Sequence, residues 1–196
     1  MANIGLKSFL YGALTETAGV ATYDPPEKLA GAIEIKVKIN LNETSLPHDD
    51  RVDNQISEFK DGAITAGIDN DDDTIFAVLL GKKTTVDSFT PESGTATTVN
   101  RITSGSNDVC IPVGFGYITG TMVDGVKKYK VIFYKKVTFK PFAVDSKTKG
   151  DKLEFTTPSV EGTIATLANG EYEDKATLEN ESDAIEYLKS LFVASV

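Results

Sequence analysis

Apolar and polar residues alternate almost without error from Ile33 to Leu41: Ile33, Ile35, Val37, Ile39 and Leu41 fall on one side, Glu34, Lys36, Lys38 and Asn40 on the other. Period-two alternation of this kind predicts a half-buried antiparallel strand. Ile64, Ala66 and Ile68 repeat the pattern within Ala63–Ile68. The period then changes. After the acidic run Asp69–Asp73, Ile75, Phe76, Val78, Leu79 and Leu80 recur at helical spacing, with aspartates at the start and Gly81 at the stop. This predicts a short helix over Asp72–Leu80. Strand character returns from Cys110 to Lys140, where Asp124-Gly125 sits between T-M-V and V-K-K-Y-K-V-I-F. Both turn residues tolerate positive φ, so the pair marks a hairpin whose second arm reaches Phe139. Leu153–Thr157 and Thr163–Leu167 read as further strands, and Ser182 opens a final helix with Ile185, Leu188, Leu191 and Phe192 on one face.

Two stretches break the pattern. Asn42–Phe59 carries Pro47, His48, Asp49, Asp50 and Arg51 with few apolar residues, and reads as a long polar loop. A loop of that length in a compact domain is either disordered or placed to touch something else. Lys82–Asp108 is rich in Thr, Ser, Gly and Asp, with Val86, Phe89, Val99 and Ile102 as its apolar anchors, and reads as an excursion from the sheet. The whole is a mostly β chain with one or two short α-helices, and 196 residues suit one domain over 1–196.

Charge narrows the function classes. Aspartate and glutamate outnumber lysine and arginine 29 to 20, a formal net charge of -9, and Arg51 and Arg101 are the only arginines. Phosphate neutralisation needs a basic face and base edges are read best by guanidinium forks, so ordinary nucleic-acid binding is disfavoured. Cys110 is the only cysteine and its setting, V-C-I-P-V, reads as core. No intrachain disulfide can form. The first residues hold one lysine and no long apolar run, so the expectation is a chain without signal peptide or membrane span, folded in the cytosol. On that route the sequons at Asn42 and Asn180 are accidental.

The candidate chemistry is thin. Aspartates at 69, 71 and 73 imitate the start of a calcium loop, but Thr74 stands where glycine is needed and Leu80 where a bidentate glutamate should sit. Helix capping is the favoured reading, with a weak adventitious cation site as its alternative. His48 is the sole histidine, so a nucleophilic triad or a zinc site lacks its usual members. Gly114-Phe115-Gly116 with Gly120 imitates a dinucleotide fingerprint, yet a strand-like Y-I-T-G-T-M-V follows rather than a helix N-terminus. Those glycines read instead as permitting close packing or a bulge. Gly81-Lys82-Lys83-Thr84 lacks the upstream glycine of a phosphate loop. Lysines 127, 128, 130, 135, 136 and 140 form the one basic concentration. They serve either as a solvated strand face that guards an edge or as a surface complementary to acidic groups of another copy.

Five stretches, in order, carry a family resemblance: MANIGLKSFLYGAL from Met1, AGAIEIKVKINLN from Ala30, DGAITAGIDNDDDTIFAVLLG from Asp61, IPVGFGYI from Ile111 and YKKVTFKPFAVDSKTKGDKLEFTTPSVEGT from Tyr134 to Thr163. Together they resemble the major tail proteins, or tail tube proteins, of long-tailed bacteriophages that infect Gram-positive bacteria. The resemblance is weakest over Thr84–Asp108. It implies an antiparallel β-sandwich or flattened barrel flanked by a helix, self-assembly into stacked hexameric rings around a tape-measure protein, tail chaperone and tail terminator partners, a place in the virion, and neither cofactor nor catalytic site. Strands of all subunits would line a channel through which DNA passes without specific binding, and an acidic wall suits such sliding. The long loop 42–59 and the segment Met1–Leu14 would contact the next ring. Candidate ring-stacking residues are then Leu46, His48, Asp49, Asp50, Arg51 and Asp53, and candidate subunit-interface lysines are Lys128, Lys130, Lys135 and Lys136. The competing reading is a soluble β-sandwich binding module for a receptor or carbohydrate, which usually displays aromatic platforms; this chain has no tryptophan.

Overall fold

The computed structural model describes residues 3–48, 51–70, 72–141 and 157–193. In chain order these form β1 (Asn3–Thr17), β2 (Val20–Tyr23), β3 (Glu27–Ala30), β4 (Ala32–His48), β5 (Arg51–Ile68), α1 (Asp73–Leu79), β6 (Lys83–Phe89), β7 (Thr97–Thr103), β8 (Pro112–Val123), β9 (Val126–Phe139), β10 (Ser159–Ile164), β11 (Glu173–Leu178) and α2 (Glu181–Val193). The chain is mostly β, and every strand pair is antiparallel.

The main sheet runs β2-β1-β8-β9-β10-β5-β4, with β3 also on β1 and β11 also on β9. Both long strands divide one edge between two partners. β1 takes β3 along Phe9–Tyr11 and β2 along Leu14–Thr17. β9 takes β11 along Tyr129–Tyr134 and β10 along Val137–Phe139. Because β4 follows β3 through the single residue Gly31, the far end of the path comes back to its beginning and the sheet curls into a flattened barrel. The corner is latched twice: the Gly31 amide donates to Asp69 Oδ1 at 2.6 Å, and the Asp69 amide donates to the Gly31 carbonyl at 3.1 Å. A side chain at Gly31 would run into the Asp69 carboxylate.

Alternation in β8 and β9 serves two cores. Phe115, Tyr117, Ile132, Tyr134 and Phe139 face the barrel interior with Phe9, Ile64, Ile68, Ile164 and Leu79. Ile118, Val131 and Phe133 face outward, where α2 covers them with Ala184, Leu188 and Phe192. These two strands are thus buried on both faces, as strands between layers are. Glycine is required on the α2 side: a Cβ at Gly116 would meet Leu188 Cδ1, and one at Gly114 would meet Tyr23 and Phe133.

The helix expected over Asp72–Leu80 is present as Asp73–Leu79, with Asp72 as N-cap accepting from the Thr74 amide at 2.9 Å. Gly81, at φ 65, ends it: its amide donates to Val78 O and that of Lys82 to Ala77 O. Asp124 and Gly125 have φ 50 and 79, as the hairpin between β8 and β9 requires. The final helix starts at Glu181, one residue ahead of the expected Ser182. Thr163–Leu167 belongs in part to a strand that starts earlier, at Ser159, and the strand expected at Leu153–Thr157 falls almost wholly outside the described residues. Lys82–Asp108 contains a separate two-stranded sheet of β6 and β7.

The reading of Asn42–Phe59 as a loop is corrected. The β4–β5 ladder continues from Leu41↔Phe59 through Thr44↔Ile56 and Leu46↔Asn54 to His48↔Arg51. At its near end Leu41 and Ile56 are exposed, so the apolar alternation that marks a half-buried strand is not required there. Its backbone groups are satisfied by the ladder itself.

Replacing Gly116 by alanine should cost about 1–3 kcal/mol of stability through overpacking against Leu188. Urea unfolding of the variant beside the parent chain measures the difference, and an unchanged midpoint would mean that α2 yields at no cost.

Candidate assembly surfaces

The distal hairpin is the first surface. Phe59 of β5 is held to the body, stacking on Tyr172 with ring centroids 4.1 Å apart. Beyond it Leu41 is 48% and Ile56 61% exposed, both apolar residues with no core beneath them. Eight residues from Leu41 to His48 reach about 25 Å at strand rise. Among the expected stacking residues, Leu46 and His48 lie on β4 and Arg51 and Asp53 on β5, with Asp53 the extra residue where the register shifts between Leu46↔Asn54 and Pro47↔Val52. Asp49 and Asp50 lie outside the described residues. Those four positions are therefore brought together on a paired arm rather than in a loop.

The basic segment of β9 is the second surface, and here the structure divides the candidates. Lys135 sits where the outer edge of β9 passes from β11 to β10. Its side chain is 5% exposed and pairs with Glu171 at 2.5 Å and Asp174 at 3.2 Å. Its amide donates to Tyr172 O and its carbonyl accepts from the Tyr23 hydroxyl at 2.9 Å. Burial by itself lowers the Lys135 pKa, but the two carboxylates outweigh it and hold the ammonium above its ordinary range. The expectation that Lys135 meets a neighbouring subunit is corrected: it is buried and neutralised inside its own chain. Lys136 reaches the other way to Glu16, Nζ to Oε2 at 2.8 Å, and Glu16 also accepts from the Ala168 amide at 2.7 Å. Those two donors hold the Glu16 carboxyl below the usual range. Lys128 stands 3.6 Å from the exposed Glu179, and Lys130 is half-buried opposite Thr119 and Thr177. Lys128 and Lys130 keep enough access for an outside partner; Lys135 does not.

The acidic run serves structure. Asp69 latches Gly31 and Asp72 caps α1, whose first turn also holds Asp73. Among the described residues no three His, Cys, Asp or Glu side chains converge as metal ligands, and no helix is long and apolar enough to cross a membrane. Inside the barrel, burial first and then the neighbouring Tyr117 and Glu173 raise the pKa of Tyr134. A tyrosine alternating with phenylalanine on a strand gives no sign of these neighbours in sequence, because they come from β8 and β11.

A third feature is a cleft of 390 Å³ between β1 and β4, with Gly5 and Leu6 on one lip, Ile33, Glu34 and Ile35 on the other, and Tyr117, Thr119 and Ile132 as the floor. The floor is polar but satisfied, the Thr119 hydroxyl donating to Gly5 O at 3.1 Å. A scan against protein-family models and a search of curated proteins gave no match to the chain.

The ion pairs around Lys135 and Lys136 set a pH dependence. Glu16 and Glu171 have depressed pKa values in the folded chain, so the unfolded chain binds more protons in acid. Their stabilisation is present above the ordinary carboxylate range and is lost as pH falls through it. Lys135, shifted upward, keeps its contribution at neutral pH and loses it only when the solution becomes more basic than the ordinary lysine range. Lys135→Ala should lower stability at neutral pH by about 2 kcal/mol, less than for a fully buried pair because Glu171 and Asp174 can rehydrate. The same variant should flatten the acid limb of urea-derived stability against pH; an unaltered limb would remove Glu171 from the account.

Proposed function

We propose that this chain is a structural subunit that assembles with copies of itself, and that it serves as the tail tube protein of a long-tailed bacteriophage. The observation that carries the reading is the β4–β5 arm, which leaves the body with Leu41 and Ile56 exposed and gains burial only against another molecule. In stacked hexameric rings the arm would bridge to the next ring, and the tape-measure protein and then DNA would occupy the channel. The five ordered stretches of resemblance support the family, and the net charge of -9 suits a wall that repels phosphate. Chaperone and terminator partners, and a final location in the virion, follow from the same reading.

Electron microscopy of the concentrated protein, alone and coexpressed with a tape-measure protein and tail chaperones, tests it. Rings or tubes are the expected result; a monomer under every condition would overturn the proposal. Ser45 and Gln55 are paired, so replacing Leu46–Asn54 by Asn-Gly closes a shorter hairpin with a favourable turn. That variant should keep the parent melting temperature and lose long tubes, whereas an unchanged tube length would exclude the arm from stacking. Duplex DNA should show no retention on the subunit at physiological salt.

A further inference from the structure

The β4–β5 hairpin has a cavity at one end and a bare apolar side chain toward the other. Near the start of β4, Ile33–Ile35 faces Gly5 and Leu6 of β1 across the seam of the barrel, and between them lies the cleft of 390 Å³. Its aliphatic walls are Leu6, Ile33, Ile35 and, beneath them, Ile132. Ile33 is 47% exposed there. The Thr119 hydroxyl on the floor already donates to Gly5 O, and among the described residues no buried side-chain nitrogen or oxygen lacks a partner. The cleft therefore calls for an apolar filling and not for a hydrogen-bonding one. At the far end the hairpin leaves the body as the arm, where Ile56 of β5, opposite Thr44, is 61% exposed. Ile33 and Thr44 stand about 35 Å apart along β4 at strand rise, so an arm cannot reach the cleft of its own chain.

We propose that the arm of one copy seats its Ile56 side chain in the cleft of the next copy. The inference rests on the self-assembly reading above and deepens it, since it names the surface that receives the arm. A protruding apolar side chain and a cavity that accepts it, placed on different parts of one molecule, make a heterologous contact that repeats instead of closing. Here the two lie toward opposite ends of one hairpin, so each added copy is displaced along the strand direction and presents a fresh cleft and a fresh arm. The contact removes exposed aliphatic surface on both sides, Ile56 on the arm and Ile33 on the cleft lip, and strands no polar group. A cavity of this volume falls within the roughly 300–1,000 Å³ of small-molecule sites as well. The exposed Ile56, an aliphatic side chain of the right kind carried by every copy, favours the arm as the occupant.

Mixing of single-cysteine chains tests it. In a Cys110→Ala background, full-length chains carrying Ile56→Cys or Ile33→Cys should each stay unlinked on mild oxidation at high concentration, and their mixture should give a disulfide-linked dimer. A chain carrying both changes should give a ladder of linked oligomers, because the two cysteines are too far apart to join within one chain. Ile56→Ser and Ile33→Ser should each raise the concentration needed for assembly about tenfold. Both side chains are about half exposed, so these variants should keep the parent circular dichroism. Rings or tubes that form without the mixed link, or Ile56→Cys chains that link to one another as readily as to Ile33→Cys chains, would overturn the seating of the arm and leave self-assembly standing. A chain that stays monomeric at every concentration would overturn both. Assembled protein that binds anilinonaphthalene sulfonate as fully as the free chain would give the cleft to a small apolar ligand and so overturn the seating as well.

Discussion

The fork in the outer edge of β9 is the constraint on which the rest of the structure depends. One strand cannot offer the same ladder positions to two neighbours, so β11 takes Tyr129–Tyr134, β10 takes Val137–Phe139, and the segment joining them must cross the gap at Lys135–Lys136. Backbone bonds close the crossing from both sides, Lys135 N to Tyr172 O and Ala165 N to Lys136 O. The two lysines then clamp it: Lys135 draws in Glu171 and Asp174, and Lys136 ties Glu16 of β1, which itself binds Ala168. A buried ammonium is costly unless it is paired. Its two carboxylates, half open to water, supply that pairing without themselves being stripped of solvent.

From this fork the barrel and its outer layer separate. The half of β9 that meets β10 leads through β5 and β4 around the interior, while the half that meets β11 leads to α2 on the outside. Aromatic rings follow the same division. Phe9, Phe115, Tyr117 and Phe139 pack inside with centroids 5.4 to 6.2 Å apart, and Tyr23, Phe133 and Phe192 pack edge to face outside at 4.8 to 6.1 Å. Tyr23 links the layers, since its ring belongs to the outer group and its hydroxyl bonds the Lys135 carbonyl. At the root of the β4–β5 arm, Phe59 stacks on Tyr172 next to the clamp.

Several charged side chains are engaged in capping, latching and crossing the fork, and several exposed apolar residues lie on strands, among them Ile33 and Leu41 on β4, Ile56 on β5, and Val86 and Phe89 on β6. Strand edges and arms are the parts of a β protein that other chains can extend.

Local signals were legible in the sequence wherever one residue type answers one local demand. Alternation at Ile33–Leu41, the caps Asp72 and Gly81, the Asp124-Gly125 turn and the apolar face of α2 all appear where the pattern places them, because strand period, orphan helix amides and positive φ are requirements of a few adjacent residues. The same alternation failed to announce the arm, since Asn42–Phe59 carries few apolar residues and its ladder is made by backbone groups, which any residue but proline supplies. Lys135 shows the opposite limit. In sequence it is one of several lysines on a strand, and strand period assigns it only a face; that it is buried and paired follows from the route of residues 165–174 across β9. Composition and local period determined the antiparallel class and most element boundaries. The tertiary structure alone decided which charges became internal and which edges stayed open, because both depend on ladder partners distant along the chain.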